Sequence, residues 1–375
     1  MSGHEAAATG TARALPPPGR GRVAVAMSGG VDSSVAAALL LEQGWDVVGV
    51  HMKLNELPEE EKHGKSCCSL DDSLDARQVC AQLGIPFYVL DFTREFKAGV
   101  VDYFVEAYRQ GTTPNPCVMC NRTVKHALLL ERIREFGCER LATGHYAGLR
   151  ADPATGRWQI VKARDLRKDQ TYFLWGTRPE DLPYLLYPLA HYEKPDTRKL
   201  AAGRRFVTWD KPDSQEVCFV PKDYRDFLRP RFAAAPPPPG DFVDRAGRIL
   251  GRHQGLPYYT IGQRRGLGLG GERPWYVVAL RRATNEVVLG SDADLTGSTM
   301  TVHGVQWVSC DPLAPPRTAT VKVRYVHAGT SAEVMPLAGG RARVEFAEPV
   351  RAITPGQAAV FYDGDVLLGG GWIEG

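Results

Sequence analysis

From Val23 to Gln43 the chain passes through an apolar stretch, a Gly-Gly turn and a helical stretch with no spacer between them. Val23 to Ala26 reads as a short buried strand, and Ser33 to Gln43 as a helix capped by Gly44. A strand that turns sharply into a helix belongs to a parallel sheet covered by helices. The alternation continues. Val47 to Val50 and Phe87 to Leu90 read as strands, and Leu74 to Leu83, Phe96 to Arg109 and Val124 to Phe136 as helices. Arg140 to Thr143 then leads into a Gly-His-Tyr turn. The expected fold of this half is α/β, a doubly wound parallel sheet. Ligands of such sheets sit at the carboxyl ends of the strands, so the loops after Ala26, Val50 and Thr143 should converge on one site.

The pattern changes after about Cys218. Pro236 to Pro239 reads as a stiff linker, and beyond Asp241 short β-rich runs alternate with turn residues. One of these runs, Thr318 to Tyr325, reads as a strand. The expected organisation is a disordered tail over 1–21, a nucleotide-binding domain over 22–220, a small β-rich central domain over 221–292 and a C-terminal β-barrel over 293–375. No apolar stretch is long enough to span a bilayer, and the Ala-, Gly- and Pro-rich start lacks the apolar core of a signal peptide, so a cytoplasmic location is expected. A net charge of +3 neither demands nor forbids a polyanionic partner.

The turn reads Ala26-Met27-Ser28-Gly29-Gly30-Val31-Asp32-Ser33-Ser34. Adjacent glycines let backbone N–H groups approach an anion, the serines add hydroxyls, and the following helix points its positive end at the same place. Asp32 would sit badly beside phosphate unless Mg²⁺ lay between them. No Lys follows the glycines, so this is not the Walker-type loop.

Eight cysteines are too few and too scattered for a secreted disulfide framework. Cys117 and Cys120 follow Pro114-Asn115-Pro116, which reads as an extended loop ahead of the helix starting near Val124. A helix N-terminus with Arg122 and Lys125 close by favours a reactive thiolate. Cys218 lies far downstream between turn residues and an apolar dipeptide. Taken alone it reads as a small core residue. A single C-x-x-C with no second half is a poor zinc site, and the adjacent Cys67 and Cys68 are poorly placed for chelation. Cys80, Cys138 and Cys310 read as packing residues.

The motifs occur in a recognisable order. The loop at Ser28 to Ser33 is followed by Pro114-Asn115-Pro116-x-x-x-Cys120-Asn121, Thr143-Gly144-His145-Tyr146 and Lys168-Asp169-Gln170-Thr171-Tyr172-Phe173-Leu174. Then come Asp213-Ser214-Gln215-x-x-Cys218-Phe219, Thr260-Ile261-Gly262-Gln263-Arg264-Arg265-Gly266-Leu267 and Val323-Arg324-Tyr325. From about Val23 to its end the chain resembles the tRNA-specific 2-thiouridylases, whose loop is the pyrophosphate loop of ATP pyrophosphatases and whose fold is adenine-nucleotide α-hydrolase-like. The resemblance implies the following roles. Ala26, Met27, Ser28, Gly29, Gly30, Val31, Asp32 and Ser33 would bind the phosphates of ATP, and Met52 and Gly144 its adenosine. Cys218 would receive sulfur as a persulfide from a sulfur-donor protein, and Cys120 would form a transient disulfide with it. Asn115, Pro116 and Cys117 would lie near the target base, and Lys168, Asp169, Gln170, Arg324 and Tyr325 would contact tRNA. His145 and Gln357 match positions important for activity. The implied enzyme is a monomeric transferase that adenylates the C2 carbonyl of a wobble uridine and replaces its oxygen with sulfur.

Many relatives carry Asp where this chain has Cys117. A thiol is not assumed to act as the same base. Three cysteines, Cys117, Cys120 and Cys218, would also suit a [4Fe–4S] cluster, which stands as an alternative sulfuration chemistry. A further alternative keeps the phosphate loop but amidates a small-molecule carbonyl, with no need for Cys120 or Cys218. The basic clusters at Arg164, Arg167 and Lys168, at Arg264 and Arg265, and at Lys322 and Arg324 favour an RNA partner. Tyr172-Phe173-Leu174 reads as core.

Overall fold

The computed structural model describes residues 21–54, 70–213, 217–220, 223–270, 274–312 and 316–375. Cys67, Cys68, Ser214 to Glu216 and the tail before Gly21 lie outside the described residues.

Strand β1 (Arg22–Ala26) enters helix α1 (Val31–Glu42) through the Gly-Gly turn. It is followed by β2 (Asp46–Lys53), α2 (Leu70–Leu83) and β3 (Phe87–Asp91). Helix α3 covers 93–109 and α4 covers 116–136, each with a π-helical stretch inside it, at Lys97–Val101 and Asn121–Leu128. Then come β4 (Arg140–Ala142), the hairpin β5 (Ala147–Ala151) and β6 (Trp158–Lys162), β7 (Leu185–Leu186) and α5 (Lys194–Gly203). The sheet order is β3-β2-β1-β4-β7, and every pairing in it is parallel. Strand order reverses beside β1, so the crevice opens between the ends of β1 and β4. Nearly every residue of α1 up to Leu40 is buried, because the sheet covers one side and α5 packs on another.

After α6 (Tyr224–Arg231) a small sheet pairs β8 (Gly240–Asp244), β9 (Ile249–His253), β10 (Tyr276–Arg281) and β11 (Glu286–Gly290) in the order β10-β11-β8-β9. The last six strands are β12 (Thr296–Trp307), β13 (Arg317–Lys322), β14 (Thr330–Leu337), β15 (Arg341–Arg351), β16 (Ala358–Asp363) and β17 (Val366–Ile373). They run antiparallel and close through β12–β17 into a barrel. Alternating burial along β14 and β15 puts Ala332, Val334, Ala342 and Val344 in its core.

Two expectations change, and one pairing is new. Cys117 and Cys120 are not in an extended loop: α4 begins at Pro116, with Asn115 as its N-cap accepting a hydrogen bond from Val118 N (3.3 Å). Proline at the first helical position and Asn before it are a strong start signal, and they outweigh the loop character of two nearby prolines. The strand expected to reach Tyr325 ends at Lys322, and Arg324 and Tyr325 lie in the turn beyond it. The hairpin β5–β6, early in the chain, joins the late barrel through β6–β17, with Val161 opposite Val366.

Candidate active site

Gly29 has φ +72°, and a Cβ there would lie 2.3 Å from the carbonyl oxygen of Asp72, so only glycine fits. The hydroxyls of Ser33 and Ser34 both donate to Gly30 O (3.1 and 2.9 Å), and Ser33 Oγ accepts from Ser28 N (3.2 Å). Thr208 Oγ1 donates to Ser34 Oγ (3.0 Å). Ser33 and Ser34 are buried and brace the turn, whereas Ser28 is exposed. From outside the loop, Lys211 Nζ donates to Gly29 O (3.0 Å) and to Asp72 and Asp75 (2.6 Å each).

Asp32, in the first turn of α1, receives Lys194 Nζ on both oxygens at 2.7 Å and Tyr146 OH at 3.2 Å. Lys194 also reaches Asp213 (2.8 Å), which takes Lys168 (2.7 Å) and Arg198 (2.9 Å) as well. Burial raises the Asp32 carboxyl above its ordinary range, against the lowering pull of Lys194. Burial also works to raise Asp213, but hydrogen bonds from Lys168 and Lys194 outweigh it and bring it down to about 2. Lys194 and Lys211 escape a reading of the sequence because no motif ties them to the loop; folding brings them there across more than a hundred residues.

Beyond β4 the chain turns through Thr143, Gly144 and His145. A Cβ on Gly144 would lie 2.7 Å from Ser33 N, so this turn lies directly against the phosphate loop. Met52 is buried near the end of β2. The His145 ring lies 6.0 Å from that of His126, on α4, and 6.2 Å from that of Tyr187. His145 Nδ1 contacts Thr143 Oγ1 at 2.7 Å. Burial pushes His126 down to about 3 and His145 well below its usual value, with Lys125 adding to both, so both imidazoles are neutral.

Cys120 is buried and Cys117 exposed, three residues apart on α4. Cys218 is half-buried against the same core as Cys120, and its neighbour Phe219 packs edge-on against Phe96 (5.6 Å) and Phe104 (5.2 Å) of α3. Among the described residues no group of three or more His, Cys, Asp or Glu side chains is arranged to hold a metal ion.

The barrel reaches into this region. Gln357 Nε2 donates to Thr113 O (3.1 Å) and Pro114 O (3.0 Å), just ahead of Asn115, while Thr113 N donates to Pro355 O (2.8 Å). Asp169 is buried, accepting from Thr171 Oγ1 (2.6 Å) and Ala163 N (3.1 Å), and Gln170 Oε1 accepts from Tyr146 N (3.0 Å). Of this stretch Lys168 is the more exposed residue. Arg324 donates to Arg351 O (2.7 Å), and the Tyr325 ring lies 4.7 Å from Phe173. Tyr172 and Leu174 are buried core, as expected. An open groove of about 700 Å³ lies between α6 and the central sheet, lined by Arg225, Arg264 and Arg265 together with Thr260 and Gln263.

A family model described as tRNA methyl transferase HUP domain matches residues 21–222. Two others match the rest: a tRNA methyl transferase PRC-barrel domain over 225–291 and an aminomethyltransferase beta-barrel domain over 297–373. The tRNA-specific 2-thiouridylase MnmA of Symbiobacterium thermophilum is 48% identical over 359 residues, covering 94% of this chain and 92% of the relative. The chain belongs to the tRNA-specific 2-thiouridylase family. A second thiouridylase, from Carboxydothermus hydrogenoformans, is 48% identical over 95% of this chain and 98% of its own length. Among solved structures, the U34-tRNA thiolase NcsA of Methanococcus maripaludis overlaps loosely, with a TM-score of 0.35, 18% identity and coverage of 60% of this chain and 69% of that one. The fold of this thiouridylase is thus a parallel-sheet nucleotide domain, a small central β domain and a closed C-terminal barrel. Among the described residues no helix is long and apolar enough to cross a membrane.

Proposed function

We propose that this thiouridylase uses ATP to adenylate the C2 carbonyl oxygen of a tRNA wobble uridine and replaces that oxygen with sulfur carried on Cys218. The observation that carries the reading is the contact between the phosphate loop and the turn after β4. Gly144 abuts Ser33, and one residue on, His145 faces His126 of the helix that bears Cys120. The phosphate loop and Cys120 are thereby joined through a single buried wall.

Uracil's carbonyl oxygen leaves poorly, and transfer of AMP onto it, with loss of pyrophosphate, turns it into a good leaving group. The α1 N-terminus and the backbone around Gly29 and Gly30 hold the phosphates. Mg²⁺ travels with ATP as part of the substrate; both Asp32 oxygens are held by Lys194, so Asp32 would face the ion only by exchanging that ammonium for it. The terminal sulfur of a Cys218 persulfide attacks C2 and AMP departs. The Cys120 thiolate then attacks Cys218 Sγ, leaving sulfur on the base and a disulfide between the two cysteines, which external thiols reduce. Cys120 lies in, and Cys218 packs against, one extended core, an arrangement compatible with this pairing. The N-terminal position of Cys117 on α4 and its exposure suit a thiol close to the entering base.

The sulfur comes from a persulfide-bearing protein partner, and the enzyme works as a cytoplasmic monomer. Lys168 and the groove arginines, Arg264 and Arg265, supply charge for tRNA phosphates. Asp169, Gln170 and Gln357 act by positioning rather than by touching RNA. The test is nucleoside mass spectrometry of tRNA incubated with ATP, Mg²⁺, a persulfide donor and enzyme. The expected result is a sulfur-for-oxygen gain on uridine that vanishes in Cys218→Ser. AMP release with no thiolated nucleoside from the intact enzyme would remove the reading.

A further inference from the structure

Three buried polar atoms in one place make no hydrogen bond: Asn121 Oδ1, His126 Nε2 and Tyr187 OH. Folded proteins pair nearly all such atoms, so three orphans together call for a ligand. Each of the two helix residues already has its other polar atom engaged on one short stretch: Asn121 Nδ2 donates to Phe173 O (3.2 Å), and His126 Nδ1 faces Thr177 Oγ1 (2.9 Å). The π-helical stretch Asn121–Leu128 carries both. Its wider turn brings residues five apart onto one face, where an α-helix would separate them. Tyr187 closes the group, its ring 6.2 Å from His126 and 6.2 Å from His145.

The position matters as much as the chemistry. Asn121 directly follows Cys120, and His145 directly follows Gly144 at the phosphate loop. The orphans therefore lie between the two halves of the reaction. The three rings meet tilted or edge-on rather than stacked, and a flipped-out base would have to part them to reach the three atoms.

The groups match one base edge. Uracil reacts at its C2 oxygen, so recognition must come from N3–H and O4, one donor beside one acceptor. Asn121 Oδ1 can only accept, and Tyr187 OH can donate. The His126 tautomer in which Thr177 Oγ1 donates to Nδ1 carries its proton on Nε2, so that O4, with two lone pairs, takes both Nε2–H and the Tyr187 hydroxyl while N3–H is left to Asn121. Cytosine offers a bare N3 and an amino group, the reverse pattern, and would leave Asn121 Oδ1 facing a lone pair and the donors facing an amino group.

We propose that Asn121 Oδ1, His126 Nε2 and Tyr187 OH are the groups that read the N3–O4 edge of the target uracil. This rests on the thiouridylase reading and deepens it by adding the base-recognition surface. The test uses the full-length enzyme and an anticodon stem-loop RNA with uridine at the target position, with the same RNA carrying cytidine as a competitor. His126→Phe and Tyr187→Phe each remove one orphaned atom and keep the ring.

The expected result is a loss of at least about tenfold in kcat/KM for the uridine RNA, with the competitor's disadvantage narrowing. ATP affinity should stay within about twofold, and His126→Gln should recover part of the loss. Melting temperature should hold or rise, because an unsatisfied buried atom has been removed. A purely structural role moves activity and melting temperature down together, and that outcome overturns the proposal. So does kcat/KM within about twofold of wild type in both variants, which would leave the atoms as hosts for buried water. If the unaltered enzyme forms no AMP with the uridine RNA, the thiolation reading itself falls, a result distinct from failure of the three groups.

Discussion

Replacing Lys194 by Met should destabilise the protein by about 2 to 3 kcal/mol, somewhat below the ~3–5 kcal/mol typical of breaking a buried ion pair. The discount follows from the geometry. Lys194 has a side chain only 9% exposed and holds Asp32 and Asp213 at once. Asp213 keeps Lys168 and Arg198 when the ammonium is gone, so its loss is largely covered. Asp32 keeps only the Tyr146 hydroxyl among the contacts above, but with a third of its side chain exposed it recovers some hydration. The assay is urea unfolding followed by the shift in midpoint at constant slope. A double-mutant cycle with Asp32→Asn should give a coupling of about 1 to 2 kcal/mol, because the second change removes the stranded charge. A Lys194→Met protein within about 0.5 kcal/mol of wild type, or a cycle with no coupling, would show that the pair is solvated and that the reasoning from burial is wrong.

Gly144→Ala should weaken ATP binding by at least about tenfold in calorimetry, since its methyl group would meet the backbone of Asp32 and Ser33, which cannot shift without moving the phosphate loop. Cys120→Ser should still release AMP and pyrophosphate with tRNA yet complete no thiolation cycle, measured by parallel nucleotide and nucleoside analysis. Stability should fall as pH drops from about 6.5 toward 3. The unfolded chain protonates His126 near its ordinary value, whereas the folded chain resists protonation until about 3. Protons therefore favour the unfolded state throughout that window, and the contribution is intact above it. His126→Phe should flatten this part of the stability–pH curve, and an unchanged slope would mean the imidazole is not sealed from water.

Local signals carried the nucleotide half of this molecule well. The β1–turn–α1 unit is legible because a buried strand, a positive-φ glycine and a helix start are all written within a dozen residues. At the start of the cysteine helix the loop character of two prolines masks the stronger signal, the Asn115 cap and the helix-compatible Pro116. The π-helical stretch leaves no trace in an apolar period, so the anchoring of Asn121 and His126 on the 173–177 stretch is not legible. Lys194 and Lys211 were missed for a different reason: their partners lie on the far side of the chain, and only the packing of α5 on α1 brings them to the loop. The β5–β6 hairpin shows the same limit, since its partner strand comes some two hundred residues later.

The grip of Gln357 on Thr113 and Pro114 has a consequence for how the enzyme is born. A chain leaving the ribosome can complete the β1–α1 nucleotide loop long before β16 and β17 exist. The segment leading into the cysteine helix must wait for those strands before its carbonyls are clasped. A nascent or prematurely terminated chain would lack this clasp, and the segment ahead of Pro116 would be left with its own helix start as its anchor.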